Sequence, residues 1–129
     1  MSGSDATTQG VRVQVHPEYR PDLSDPDARE WVFQYTVEIS NVGDRPVKLL
    51  GRHWIITDGD GEVEHVRGAG VVGEQPRLLP GERHVYSSGC PLPTSMGQME
   101  GSYMMTWDDG TRFEVAVAPF ALVGEELLN

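Results

Sequence analysis

A chain of 129 residues has the size of one domain, and its 38% hydrophobic content, 15 glycines and nine prolines favour short strands and tight turns over long helices. Twenty acids against ten basic residues leave a formal charge of −10, which argues against sequence-independent nucleic-acid binding because that needs a basic surface to displace counterions. Cys90 is the single cysteine, no apolar run reaches the roughly 20 residues of a membrane helix, and no basic-then-apolar N-terminal run marks a signal peptide, so the expectation is a soluble cytoplasmic protein.

Residues 1–10 are small and polar and are expected to form a flexible tail. Val11, Val13 and Val15 alternate with Arg12, Gln14 and His16 as a half-buried strand does, and Pro17 is expected to end it. Residues 18–30, with Glu18, Asp22, Asp25, Asp27, Glu30, Pro21 and Pro26, read as a solvated loop. The clearest strand is 31–41, where Phe33, Tyr35, Val37 and Ile39 share a face before a turn at Asn41–Asp44. The strand 47–57 follows, with Trp54 and Ile56 toward the core. Asp58-Gly59-Asp60-Gly61 then turns into a short strand over 62–66. Leu79-Pro80-Gly81-Glu82 forms another turn, residues 83–88 a strand, and 89–100 a longer connection with Pro91 and Pro93. Tyr103, Met105 and Trp107 alternate, and Asp108-Asp109-Gly110 returns the chain into 112–118, where Phe113, Val115 and Val117 share a face. Pro119 is expected to end that strand, Phe120, Leu122 and Val123 to continue as an edge, and residues 124–129 to fray. The sum is an all-β antiparallel sandwich of about seven strands, immunoglobulin-like in its early core tryptophan.

Gly68-Ala69-Gly70-Val71-Val72-Gly73 spells G-x-G-x-x-G, but Glu74-Gln75-Pro76 follows where a dinucleotide fingerprint needs a helix. The structural reading is a shaped loop whose glycines supply positive φ or close backbone approach. The functional reading is a phosphate cradle of backbone amides at Gly68, Gly70 and Gly73, flanked by Arg67 and Arg77. No Lys-Ser or Lys-Thr follows, as a P-loop requires. Asp58, Asp60 and Glu62 begin like a calcium loop, yet Ala69 occupies the position of its essential glutamate. His16, His53, His65 and His84 match no zinc spacing, so neither metal nor cofactor is expected. Ser87-Ser88-Gly89-Cys90 lacks a nucleophile elbow, and no catalytic set is expected. Met104, on the opposite face from Tyr103 and Met105, is a candidate partner contact together with Arg52 and His53.

Five stretches recur in a recognisable order: Arg52-His53-Trp54-Ile55-Ile56-Thr57-Asp58, Gly68 through Pro76, Leu79-Pro80-Gly81-Glu82, Tyr86-Ser87-Ser88-Gly89, and Met99-Glu100-Gly101-Ser102-Tyr103. Over residues 11–123 the chain resembles the bacterial ApaG family. The resemblance implies a fibronectin type III-like β-sandwich, no established enzymatic activity and no cofactor. It also implies genes neighbouring a dinucleoside-tetraphosphate hydrolase and a ribosomal RNA methyltransferase, a link in some members to divalent cation efflux and cobalt tolerance, and related domains in eukaryotic F-box and polymerase-associated proteins. The expected function is therefore a non-catalytic module that contacts a protein partner or a copy of itself, with an indirect link to cobalt and magnesium homeostasis. The alternative is a sensor of a phosphate-containing metabolite such as a dinucleoside polyphosphate.

Overall fold

The computed structural model describes residues 3–124. Strands β1 (Ser4–Thr8), β2 (Val11–Tyr19), β3 (Trp31–Asn41) and β7 (Arg83–Leu92) form one sheet in the order β1-β2-β3-β7. Strands β4 (Val47–Asp58), β5 (Val63–Ala69), β8 (Met96–Trp107) and β9 (Arg112–Val123) form the other in the order β5-β4-β8-β9, and the short β6 (Arg77–Leu78) pairs with β4. All these pairings are antiparallel. This is the expected immunoglobulin/fibronectin type III-like sandwich. No helix among the described residues is long and apolar enough to cross a membrane.

The two-residue period of the strands decides the core. Val11, Val13 and Val15, then Phe33, Val37 and Ile39, then Tyr103, Met105 and Val115 all lie inward and are fully or almost fully buried. Trp54 fills the centre. It meets Tyr35, Tyr103 and Phe120 edge-on at ring separations of 5.3, 6.1 and 6.0 Å, an arrangement that adds about 0.5–1.5 kcal/mol per pair to burial alone.

Several expectations about boundaries are corrected. The N-terminal ten residues are not simply a tail: Ser4–Thr8 pairs with Val11–Val15 through a turn in which Gln9 and Gly10 both have positive φ. This strand carries no large apolar side chain. Its ladder holds it, together with the Arg12–Asp5 ion pair and the Thr8 hydroxyl accepting from the Ala116 amide. Pro17 does not end β2, which pairs on to Tyr19; Pro17 lies beyond Val15, the last β2 residue that β1 reaches, so no neighbour on that side lacks a donor. The loop 18–30 contains two single-turn 3-10 helices, Pro21–Leu23 and Pro26–Ala28, each opened by its proline.

The expected connection 89–100 is mostly strand, because β7 runs to Leu92 and β8 starts at Met96. Pro91 is tolerated there because β7 is an edge of its sheet. Pro119 does not end β9. It falls where the β8–β9 register shifts between Met99 and Gly101, a bulge that needs no ladder bond from it, and β9 continues through Phe120 and Leu122 into the core. The short strand expected over 62–66 extends to Ala69. The described residues thus hold nine strands where about seven were expected. Gly124 is buried and donates to the Ser95 carbonyl, whereas the rest of the expected frayed tail, 125–129, lies outside the described residues.

The sheet orders leave the sandwich closed on one side and open on the other. β1 lies against β9 through the Thr8–Ala116 contact. At the opposite side, β7 and β5 are the terminal strands of their sheets. The segment after β5 reaches across, and Glu74 approaches His84 of β7 at 3.4 Å.

Candidate functional site

A bulge in β4, where its register with β8 shifts between Leu49 and Gly51, sets the faces of everything that follows. After it, Arg52, Trp54 and Ile56 point between the sheets, and His53 and Ile55 point outward. On the outer face, Arg67 of β5 lies opposite His53, and Ser102 of β8 flanks His53 from the other side. Met104 sits opposite Gly51, and Glu114 of β9 opposite Met104. These strands enclose a hollow of about 250 Å³ whose lining includes Arg52, His53, Arg67, Gly68, Met104 and Glu114. Four of the candidates, His53, Arg67, Gly68 and Met104, drawn from two separate sequence arguments, thus share one groove, and Arg52 borders it with its guanidinium turned toward the inner face.

Gly68 makes room for Arg52. A Cβ there would stand 2.6 Å from the Arg52 Nη1, which donates to the Ala69 and Gly70 carbonyls at 3.1 Å each. Among the described residues no carboxylate comes within ion-pair distance of Arg52 or Arg67. His53 is half-buried, and its Nε2 lies 2.9 Å from the Nδ1 of His65. Partial desolvation first, then the charges of Arg67 and His65, hold the His53 imidazole below its ordinary pKa, with Glu114 opposing them.

The remaining candidates lie elsewhere. Arg77 is opposite Lys48 on β4, five residues from His53, the partner of Arg67, which separates the two arginines by about 17 Å along the strand. Its guanidinium is held by Asp108 through bonds of 3.1 and 2.6 Å. The glycine segment beyond β5 is a tight turn. Gly70 donates to the Leu50 carbonyl, and Val71 and Glu74 exchange both backbone bonds, at 2.8 and 3.0 Å. Val72 and Gly73 have φ of 48° and 78°, the signature of a type I′ turn. Gly70, at φ 63°, is also required by space, since a Cβ would come within 2.4 Å of the Glu74 carbonyl. Val71 is fully buried and anchors the turn to the core.

A second hollow, of about 240 Å³, opens between the sheets on the side where β5 and β7 end them, lined by Tyr35, Arg52, Trp54, Glu64, Ser88 and Cys90 among others. The Trp54 indole N–H has no hydrogen-bond partner among the described residues, although the residue is only 3% exposed. Burial pushes the Cys90 thiol up to about 11, so it is not a nucleophile at neutral pH. The Ser87 hydroxyl is bonded to Thr36 at 2.9 Å. At the 58–62 turn the Asp58 carboxylate caps the amides of Asp60 and Glu62 at 2.8 and 3.0 Å, the role of an aspartate in a turn. The contact that sequence reasoning missed is His53–His65. Its signal lay in the hairpin itself, because a turn centred on Asp60 makes 53 and 65 diagonal neighbours on one face.

Fold and groove together define a two-sheet immunoglobulin/fibronectin type III-like domain with a surface recess on one sheet and a cleft at its open side. The family profile described as the ApaG domain matches residues 21–107. Protein ApaG of Bordetella pertussis is 53% identical over 119 residues, covering 92% of this chain and 91% of the relative. Protein ApaG of Dechloromonas aromatica is 46% identical over 126 residues, covering 98% and 99%. A crystal structure of an ApaA protein from Bordetella pertussis superposes with a TM-score of 0.86 at 51% identity, over 88% of this chain and 92% of that one. The chain belongs to the ApaG family.

Proposed function

We propose that the protein is a non-catalytic interaction module of the cytoplasm, and that the outer groove receives a protein partner or a second copy of the chain. The observation that carries this reading is the convergence of His53, Arg67 and Met104 in one hollow bordered by Arg52. On a chain of net charge −10, the Arg67 guanidinium and one acid, Glu114, line that hollow beside Met104, while the Arg52 guanidinium turns inward to the Ala69 and Gly70 carbonyls. An acidic side chain beside an apolar one matches it, the first for Arg67 and the second for the adaptable Met104 thioether. The high Cys90 pKa and the engaged Ser87 hydroxyl favour a non-enzymatic role. An indirect connection to cobalt and magnesium homeostasis belongs to the same reading.

Cross-linking mass spectrometry on the protein in its host cell tests it, with sedimentation velocity for self-association. Met104→Asp and Arg67→Glu should each abolish one defined cross-linked species or the dimer, while Arg112→Glu should leave it intact. Equal behaviour of all three variants would reject the groove as the contact.

The second reading is a sensor of a phosphate-containing metabolite. Arg67, exposed and free of a carboxylate partner among the described residues, favours it. Gly70, Val71 and Glu74 already spend their amides within the protein and Arg77 is held by Asp108, so recognition would rest on side chains rather than on a backbone nest. Titration with diadenosine tetraphosphate or GTP separates the two readings. Amide shifts confined to residues 67–77 support the sensor, and their absence at millimolar ligand rejects it.

A further inference from the structure

The geometry points to a second site: His53 and His65 form a two-imidazole seat for a borderline divalent transition-metal cation on the outer face of the β4–β5 hairpin. Their ring nitrogens, His53 Nε2 and His65 Nδ1, stand 2.9 Å apart. The rings are inclined by only 25° with centroids 5.1 Å apart, so the two nitrogens face one another across a single hydrogen bond. Metal–imidazole bonds of about 2.0–2.1 Å put two adjacent ligand nitrogens about 2.9–3.4 Å apart, depending on whether the angle at the metal is near 90° or tetrahedral. The observed separation lies within that span, and a small rotation about the side-chain torsions turns both lone pairs toward a common point.

Two adjacent antiparallel strands carry the pair, with His65 opposite Ile55 and therefore diagonal to His53. Both donors are thus held by ladder hydrogen bonds rather than by a loop, which lowers the ordering cost of chelation. The proton that bridges the two nitrogens does not have to leave the protein. It moves to the remote nitrogen of the ring that carried it, Nδ1 of His53 or Nε2 of His65, and both facing lone pairs become free with no change of charge. Arg67 opposes a cation and Glu114 favours one, both acting on His53. The net charge of −10 raises the local cation concentration.

Among the described residues no third His, Cys, Asp or Glu completes a cluster, so the rest of the coordination sphere is water. Nitrogen donors select zinc, nickel or copper over magnesium and calcium, which demand oxygen. This inference does not rest on the groove reading, because His65 does not line the groove.

The test is a Zn²⁺ titration of the intact chain at pH 7.5, followed through the histidine ring nitrogens by long-range ¹H–¹⁵N NMR, with Mg²⁺ as the comparison. The expected result is a shift of the His53 and His65 ring signals alone, with His16 and His84 unmoved and no response to Mg²⁺. His53→Ala and His65→Ala should each weaken Zn²⁺ binding by roughly tenfold or more, since one imidazole is then left without its neighbour. Thermal melts confirm that both variants fold. Arg67→Ala should tighten Zn²⁺ binding a few-fold while weakening any partner held in the groove, which separates the two proposals. Equal shifts at all four histidines, or unchanged affinity in His65→Ala, would overturn the assignment.

Discussion

Among the described residues Asn41 is the one buried side chain of the polar or charged class, 2% exposed, and it ties the sheets together at one end of the sandwich. Its Nδ2 donates to the Arg45 carbonyl at 2.7 Å and the Leu78 carbonyl at 3.0 Å, and its Oδ1 accepts from the Gly43 amide at 3.0 Å. Leu78 belongs to the second sheet, so Asn41→Ala cuts a stitch between layers as well as a turn. The buried bond to the Leu78 carbonyl and the packing of the amide are then lost, at a cost of about 1–3 kcal/mol, and the two half-buried contacts add about 0.5 kcal/mol each. The expected loss is about 2–4 kcal/mol, or roughly 8–15 °C in Tm for a domain of this size. Urea denaturation measures it: the midpoint should fall with an unchanged slope. Asn41→Asp sharpens the test. It keeps the acceptor for Gly43 but sets a carboxylate against two carbonyls, so at pH 7 it should be at least as destabilised as Asn41→Ala. Burial and those carbonyls raise the folded-state pKa of this aspartate, so its deficit should shrink as pH falls and the carboxyl regains a proton to donate. A Tm loss under about 3 °C for Asn41→Ala would refute the stitch, as would wild-type stability of Asn41→Asp at pH 7.

Val72 is a β-branched residue at φ 48° and 64% exposed, which stores strain at no gain in burial. Val72→Asn creates the Asn-Gly pair that type I′ turns prefer and should stabilise by about 0.5–1 kcal/mol, whereas Gly70→Ala should destabilise by about 1–3 kcal/mol; differential scanning calorimetry of the pair decides, and a stabilised Gly70→Ala would contradict the turn assignment. Alkaline stability follows from the buried acids. Burial raises Cys90 from 9.0 to about 11 and also raises Tyr35, Tyr86 and Tyr103. The unfolded chain therefore ionises first, and stability that is complete below about pH 9 should decline steadily above it. Circular dichroism melts from pH 8 to 11 should show this decline, and Cys90→Ala should blunt its first part; a flat profile to pH 11 would count against the burial of these groups.

Much of the fold was legible because a strand's two-residue period ties each side chain to a face. Val13, Phe33, Ile39, Tyr103 and Val115 declared the core in the sequence, and all are buried. The Asp-Gly turns at 58–61 and 108–110 declared the hairpins around them. Strand ends were less legible wherever a local rule met a tertiary exception. Pro17, Pro91 and Pro119 are strand breakers only where a neighbour needs their missing N–H, and each sits at an edge or a bulge. β1 was illegible because its polar residues carry no pattern; the β2 ladder and the adjoining β9 hold it.

The residues of the groove could be nominated one at a time, but only sheet order and register could assemble them. Arg67 and Arg77 are near in sequence and far apart in space, because they meet β4 at positions five residues apart. Met104 and Arg67 are remote in sequence and share a hollow, because β5 and β8 flank the same stretch of β4. His53 and His65 touch because a hairpin folds one onto the other. Sequence by itself determined the faces, the turns and the family of this protein. The tertiary structure alone decided which outward-facing side chains became neighbours, since proximity across a sheet depends on strand pairing and not on distance along the chain.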